Sequence, residues 1–304
     1  MTDDRAAFLT ASWVNVASNV LKILVEGGLG LSSGSLALTA DAAHSLADLL
    51  ASAVVLVWGR VVYDDPDEVH PHGHERFEPL AALFVAGVLV VLGLKLLADA
   101  GTALLVGSTG ATYGPILLVG LAFAFVNRAG CYLYTRRVER AVDSSGLRAL
   151  AADSKNDLFT TGAAVIGVVG MALGYPVLDP VAGGVVSVLV VAQGVSIGRE
   201  NVRYLADSAP PAAERERIET EIRDHPEVRG VHDFVAYYSG QGIEVEFHAE
   251  VDAAHSLADA HEIETQLRRR VRSVDPVTDV HVHLDPSGLG EWKEARDGSS
   301  ASSR

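Results

Sequence analysis

Asp41, His44 and Asp48 lie three and four residues apart in one apolar stretch, and Asp153 and Asp157 lie four apart in another. On a helix these spacings stack the side chains on one face. Each ionisable group at mid-membrane costs about 2.5–3.5 kcal/mol on insertion scales, so four or five on two helices cost on the order of 10 kcal/mol. A bound dication, or shared protons, must offset that cost. His44, Asp48, Asp153 and Asp157 together offer one imidazole nitrogen and three carboxylates, a set that fits tetrahedral zinc. Its wealth of oxygen also admits manganese or iron(II). Asp41 is read as accessory, with ligation, proton relay and a helix-positioning bond all open. A hydrogen-bonded packing network without metal is the structural alternative.

Two further clusters have metal-binding character. Residues 64–76 read DDPDEVHPHGHER, where Asp67, His70 and His74 form the best ligand set, against the alternative of a solvated charged loop. Further on, His232, His248, His261, His283 and Asp285 come from three strands and a helix. His281, His283 and Asp285 alternate onto one strand face, opposite Val280, Val282 and Leu284. Enzymatic readings fare poorly, so the chain is not read as an enzyme. His74-Glu75 and His261-Glu262 open like a metalloprotease motif but lack the histidine at its fifth position. Gly27-Gly28-Leu29-Gly30 follows no strand and is no phosphate loop.

The elements that position these residues divide into two classes. Apolar stretches near the ~20 residues needed to cross a bilayer fall at 7–30, 36–60, 79–99, 112–134, 148–172 and 177–198, which predicts six transmembrane helices. Arg76, Arg136, Arg137, Arg140 and Arg148 lie in the second and fourth connections, and the other three hold no basic residue. That asymmetry places those connections and both termini in the cytoplasm of a multi-pass cell-membrane protein. Asn15, Asn19, Lys22 and Glu26 in the first span, and Asn127 and Arg128 in the fourth, are read as glue between helices, outside the site. The remainder alternates helix (212–224), strand (228–238), strand (243–251), helix (256–272), strand (277–284), a compact α+β sandwich of ferredoxin-like character. The expected domains are 1–206, a transmembrane domain; 207–290, a cytoplasmic metal-binding domain; and 291–304, a disordered tail.

Composition narrows the partners. From Asp207 onward there are 11 Lys and Arg against 21 Asp and Glu, a net of −10 out of −15 for the chain. Such a surface repels nucleic acid and suits cations. Scarce lysine beside abundant acid fits a high-salt host. With Cys131 the single cysteine, a site built from several thiolates is excluded, so metal must use His and carboxylate.

Four segments, SGSLALTADAAHSLADLLAS, DEVHPHGHERFEPL, ADSKNDLFTT and LADSAPP, occur in that order and together resemble the cation diffusion facilitator family. The resemblance implies a homodimer that exchanges cytosolic Zn2+ or a similar ion for protons across the membrane. It implies transport ligands at His44, Asp48, Asp153 and Asp157, a loop site at Asp67, His70 and His74, and a tail site at His232, His248, His261, His283 and Asp285. It also implies a charge interlock between Arg76 and Asp207 near the dimer pivot. Zinc members usually carry histidine where this chain has Asp153, and aspartate there resembles the manganese branch. Zinc remains the first choice of cargo, manganese or iron next. The rival reading is a membrane-anchored metal sensor or scaffold subunit that does not transport.

Overall fold

A computed structural model of the chain describes residues 2–61, 67–70, 73–107, 111, 112, 114–141 and 145–288. The side chains of 2–9, 51–61, 141, 145–150, 152 and 153 fall outside that description. The side chain of Asp153 and the 291–304 tail therefore lie outside the described residues. Contacts divide the chain into two compact units, residues 1–61 with 80–200, and residues 62–79 with 201–304.

The first unit is helical. α1 (Thr2–Lys22) runs through a π-helical turn at Ile23–Gly27 into α2 (Gly28–Ser33). There follow α3 (Leu36–Val61), α4 (Phe77–Val106), α5 (Pro115–Ala141), α6 (Ser145–Ala172) and α7 (Leu178–Leu205). Among the described residues, Thr10–Ser33, Phe77–Val106, Pro115–Arg140 and Leu178–Leu205 are long and apolar enough to cross a membrane. α3 and α6 are of similar length and hold Asp41, His44, Asp48, Asp153, Lys155 and Asp157. Large apolar side chains such as Phe84, Val91, Leu105 and Val126 point outward. That surface suits lipid rather than water.

Small residues draw the helices together. Ala37, Ala40, Ala43 and Ala47 line one side of α3 and are buried against Ala164 and Val168 of α6, Val186 of α7, and Leu89 and Leu96 of α4. A side chain on Gly183 would sit 2.8 Å from the Leu36 carbonyl carbon, and one on Gly167 2.9 Å from Ala37 Cβ. Such close approach is what small residues permit between membrane helices. Asp179, in the first turn of α7, caps α3. It accepts from Ser35 Oγ at 2.5 Å and from the amides of Leu36 and Ala37 at 2.8 and 3.4 Å. A carboxylate there satisfies donors that a helix N-terminus leaves unpaired and opposes the positive end of its dipole. Asn15 ties α1 to two neighbours, donating to Thr135 Oγ1 at 2.9 Å and accepting from Ser154 Oγ at 2.7 Å.

In the second unit, α8 (Ala212–Arg223) and α9 (Leu257–Arg272) lie on one face of a three-stranded sheet of β1 (Gly230–Ser239), β2 (Gly242–Val251) and β3 (Val277–Pro286). The order is β1-β2-β3, antiparallel then parallel. β2 explains the layering: Ile243, Val245, Phe247, Ala249 and Val251 are buried beneath the helices, which leaves Glu244, Glu246, His248 and Glu250 on the opposite face. Ser256 and Asp259 start α9 with a reciprocal capping box.

Because α3 carries His44 and Asp48, its cap governs how firmly they are held. Asp179→Ala is expected to cost about 0.5–2 kcal/mol, the range for lost N-caps, read as a lower melting temperature of the detergent-solubilised protein. An unchanged melting temperature would remove Asp179 from this role.

Candidate metal centre

In the helical unit, α3 and α6 bring three ligand-type side chains together: one donor atom each from His44, Asp48 and Asp157 lies within 4.8 Å of the others, and all three residues are buried. His44 Nε2 stands 3.1 Å from Asp157 Oδ1. Gln193 of α7 donates to Asp48 Oδ1 at 2.8 Å. The other oxygen of Asp157 is ion-paired with the guanidinium of Arg128 from α5. The donor set is imidazole and carboxylate, close enough to converge on one divalent cation. Asp153 lies one turn before Asp157 on α6.

Asp41 has a different partner. Lys22 Nζ donates to its Oδ1 at 2.9 Å and lies 3.8 Å from Glu26, with all three side chains fully buried. Asp41 thus belongs to a buried ion network with the π-helical turn that carries Glu26. The trio lies one turn further along α3.

Two other clusters belong to the second unit. Asp67 Oδ1 accepts from the amides of Val69 and His70 at 2.8 and 2.5 Å, closing a tight turn. Its two carboxylate oxygens then face the histidines, Oδ1 at 3.4 Å from His70 Nδ1 and Oδ2 at 3.5 Å from His74 Nε2. Both rings pack on Phe77, at centroid distances of 5.1 and 5.7 Å. The His70 amide is the main cause that holds the Asp67 carboxyl below its usual range. A lowered acid contributes order that is present above the ordinary carboxylate pKa and lost as pH falls through the depressed value. At neutral pH that contribution is therefore fully present.

On the sheet, strand register does the positioning: His232 stands opposite His248, and His248 beside His283, across all three strands. Asp285 gathers them. His232 Nε2 lies 3.2 Å and His248 Nδ1 2.9 Å from its Oδ2, and His283 Nε2 lies 3.2 Å from its Oδ1. A bulge follows His232, with Asp233 at φ 47°. Such a bulge re-aims neighbouring side chains and bends the strand. His261 is elsewhere, exposed on α9 with its Nδ1 3.7 Å from Glu264. His281, two residues before His283 on β3, has its Nε2 3.4 Å from Asp279.

With this geometry described, comparison with known proteins is informative. Residues 12–206 match the cation efflux transmembrane domain, and residues 210–287 the cytoplasmic domain of cation efflux proteins. The chain belongs to the cation efflux, or cation diffusion facilitator, family. It is 34% identical to metal tolerance protein C1 of Arabidopsis thaliana, over 86% of this chain and 58% of that protein, less than two thirds of the relative's length. It is 29% identical to the cation-efflux pump FieF of Shewanella oneidensis, over 91% and 93% of the two chains. It is 27% identical to the manganese efflux system protein MneS of Bacillus subtilis, over 90% and 93%. The protein is a multi-pass membrane transporter for efflux of divalent metal cations.

For a cation efflux protein, two side chains at the trio are unforeseen, Arg128 and Gln193. A basic group inside an apolar span was a visible signal for the first. Gln193 offered only a lone amide in the stretch VVAQGVS. Arg76 Nη2 meets Asp207 Oδ1 at 3.1 Å, both side chains half exposed, where a lone pair stabilises by about 0–1 kcal/mol. Nearby, Tyr237 donates to Glu244 at 2.9 Å and Glu246 at 2.8 Å, and burial is the main cause that raises its phenol above the usual range.

Asp285 is common to all three contacts on the sheet, so Asp285→Ala is expected to lower the Zn2+ bound per full-length chain by one, measured by equilibrium dialysis. Unchanged stoichiometry would leave the histidine row without a metal role.

Proposed function

We propose that this transporter exports Zn2+ from the cytoplasm in exchange for protons, working as a homodimer of six-span chains with both termini cytoplasmic and a ferredoxin-like tail. The observation that carries the reading is the buried meeting of His44, Asp48 and Asp157 among helices that present apolar faces outward. In this reading Asp153 completes the set as the fourth ligand. Carboxylates and imidazole must lose protons to bind a metal, so cation and proton compete for the same atoms and exchange follows from the ligand chemistry itself. Alternate exposure of the cage to the two sides then moves metal one way and protons the other.

The loop trio Asp67, His70 and His74 and the tail row His232, His248, His283 and Asp285 are proposed as cytoplasmic sites that sense the same ion. Bound metal there changes transport only by favouring one conformation over another. The Arg76–Asp207 pair supports the charge interlock, with its value in orientation rather than stability.

The preference for zinc rests on the imidazole of His44. A second reading, Mn2+, is favoured by the predominance of oxygen ligands and by likeness to a manganese efflux protein.

Uptake of Zn2+ and Mn2+ into proteoliposomes, with and without a pH gradient, tests both readings. Asp157→Ala is expected to abolish uptake of either ion while the protein stays folded; retained uptake would reject the cage. A rate indifferent to the pH gradient would reject proton exchange. Asp153→His, by substituting nitrogen for oxygen, is expected to raise the Zn2+/Mn2+ uptake ratio, and an unaltered ratio would remove Asp153 from selectivity.

A further inference from the structure

Arg128 is wholly buried, although it lies among helices read as spanning the membrane. Its guanidinium is ion-paired with Asp157 Oδ2, and Nη1 donates to Asn19 Oδ1 of α1 at 3.0 Å. The opposite oxygen of the same carboxylate faces His44 Nε2. Asp157 is therefore claimed twice, by a cage built for a cation and by a cation that is part of the chain.

The chemistry of the guanidinium sharpens the conflict. Imidazole and carboxylate can each change protonation when metal arrives, but arginine keeps its charge inside proteins. Arg128 must share Asp157 with the incoming ion or move off it. Leaving a guanidinium in an apolar interior with no polar partner would be strongly unfavourable. Asn19, itself buried, already holds one of its nitrogens and supplies that partner.

We propose that Arg128 is a tethered counter-cation of the cage. It holds Asp157 while the cage carries no metal, gives the carboxylate up to the arriving dication while Asn19 keeps hold of it, and takes the carboxylate back as the dication departs. The proposal rests on the cage reading above and adds to it a residue whose charge limits affinity. A transport site needs that limit, since binding must be weak enough for the ion to leave.

The test uses two variants with opposite expected signs. Full-length protein carrying His70→Ala and His232→Ala removes one donor from each cytoplasmic cluster, so that Zn2+ titration and half-saturation of uptake report on the cage. In that background Arg128→Gln, which keeps hydrogen-bonding capacity and loses the charge, is expected to tighten Zn2+ binding by about tenfold, the scale on which partners of metal ligands act, and to slow uptake. Asn19→Ala removes the alternative anchor, keeps the guanidinium on Asp157, and is expected to weaken binding severalfold. A residue that merely packs the bundle would shift both variants in the same direction or neither, and either result overturns the proposal. Should Arg128→Gln fail to fold, Asn19→Ala decides alone, weaker binding supporting the proposal and unchanged binding overturning it. If the parent protein with both histidines replaced neither binds nor takes up Zn2+, the cage reading falls and the proposal with it. Normal uptake in the parent with unaltered variants overturns the proposal alone.

Discussion

The Asp157 carboxylate is withdrawn from water and joins three helices of the helical unit. One oxygen faces His44 on α3 and the other is paired with Arg128 on α5, while the residue itself belongs to α6. A carboxylate buried in this way is tolerable only when its partners are good and close, because desolvation of each ion costs several kcal/mol. Three helices are thereby tied to one point. The tie to Arg128 extends through Asn19 to α1, and Asn15, one turn earlier on α1, reaches back to Ser154 on α6. These polar groups ring the trio, and apolar residues fill what lies between.

The same economy appears at Lys22, Asp41 and Glu26, where two carboxylates and one ammonium are fully buried together. The π-helical turn over Ile23–Gly27 holds Glu26 in this group. π turns are rare and frequently occur at functional sites. The network lies beside the trio on α3, so the helix that offers His44 and Asp48 is held by ion pairing at Asp41 and by Asp179 at its start. Its alanine side allows close packing of α6, which carries the third member. Each of these contacts restricts how far α3 can turn, and hence how the ligand atoms meet.

Legibility followed the range of the interaction. Three- and four-residue spacings on a helix and alternation along a strand are local properties, so the shared face of positions 44 and 48, the buried face of β2 and the helix and strand limits of the tail could be read within a few residues. Contacts between distant segments carried no such signal. Nothing near Asp41 points to Lys22, nineteen residues away, and nothing near Asp157 points to Arg128. The tail shows the boundary well. Alternation puts His283 and Asp285 on one face, but bringing His232 beside them depends on the register of β1 and on a bulge that composition does not announce. His261 has the spacing of a charged helical surface, and that is where it lies, apart from the sheet histidines.

The loop cluster and the sheet cluster differ in the way they are organised, and under the proposed reading the difference bears on what each senses. The loop trio is held by a backbone turn closed on Asp67, so its ligand is also its scaffold: a cation drawing on Asp67 competes with the amides of Val69 and His70. Occupancy and loop shape are then coupled. The histidine row is held by strand pairing, which no ligand exchange disturbs, and Asp285 is buried beneath it with the imidazoles already gathered. A preorganised row binds with little rearrangement and serves best as a fixed platform. In the proposed reading, the loop is the better placed of the two to pass a change in metal concentration on to α4, which begins at Phe77, the residue on which both loop histidines pack.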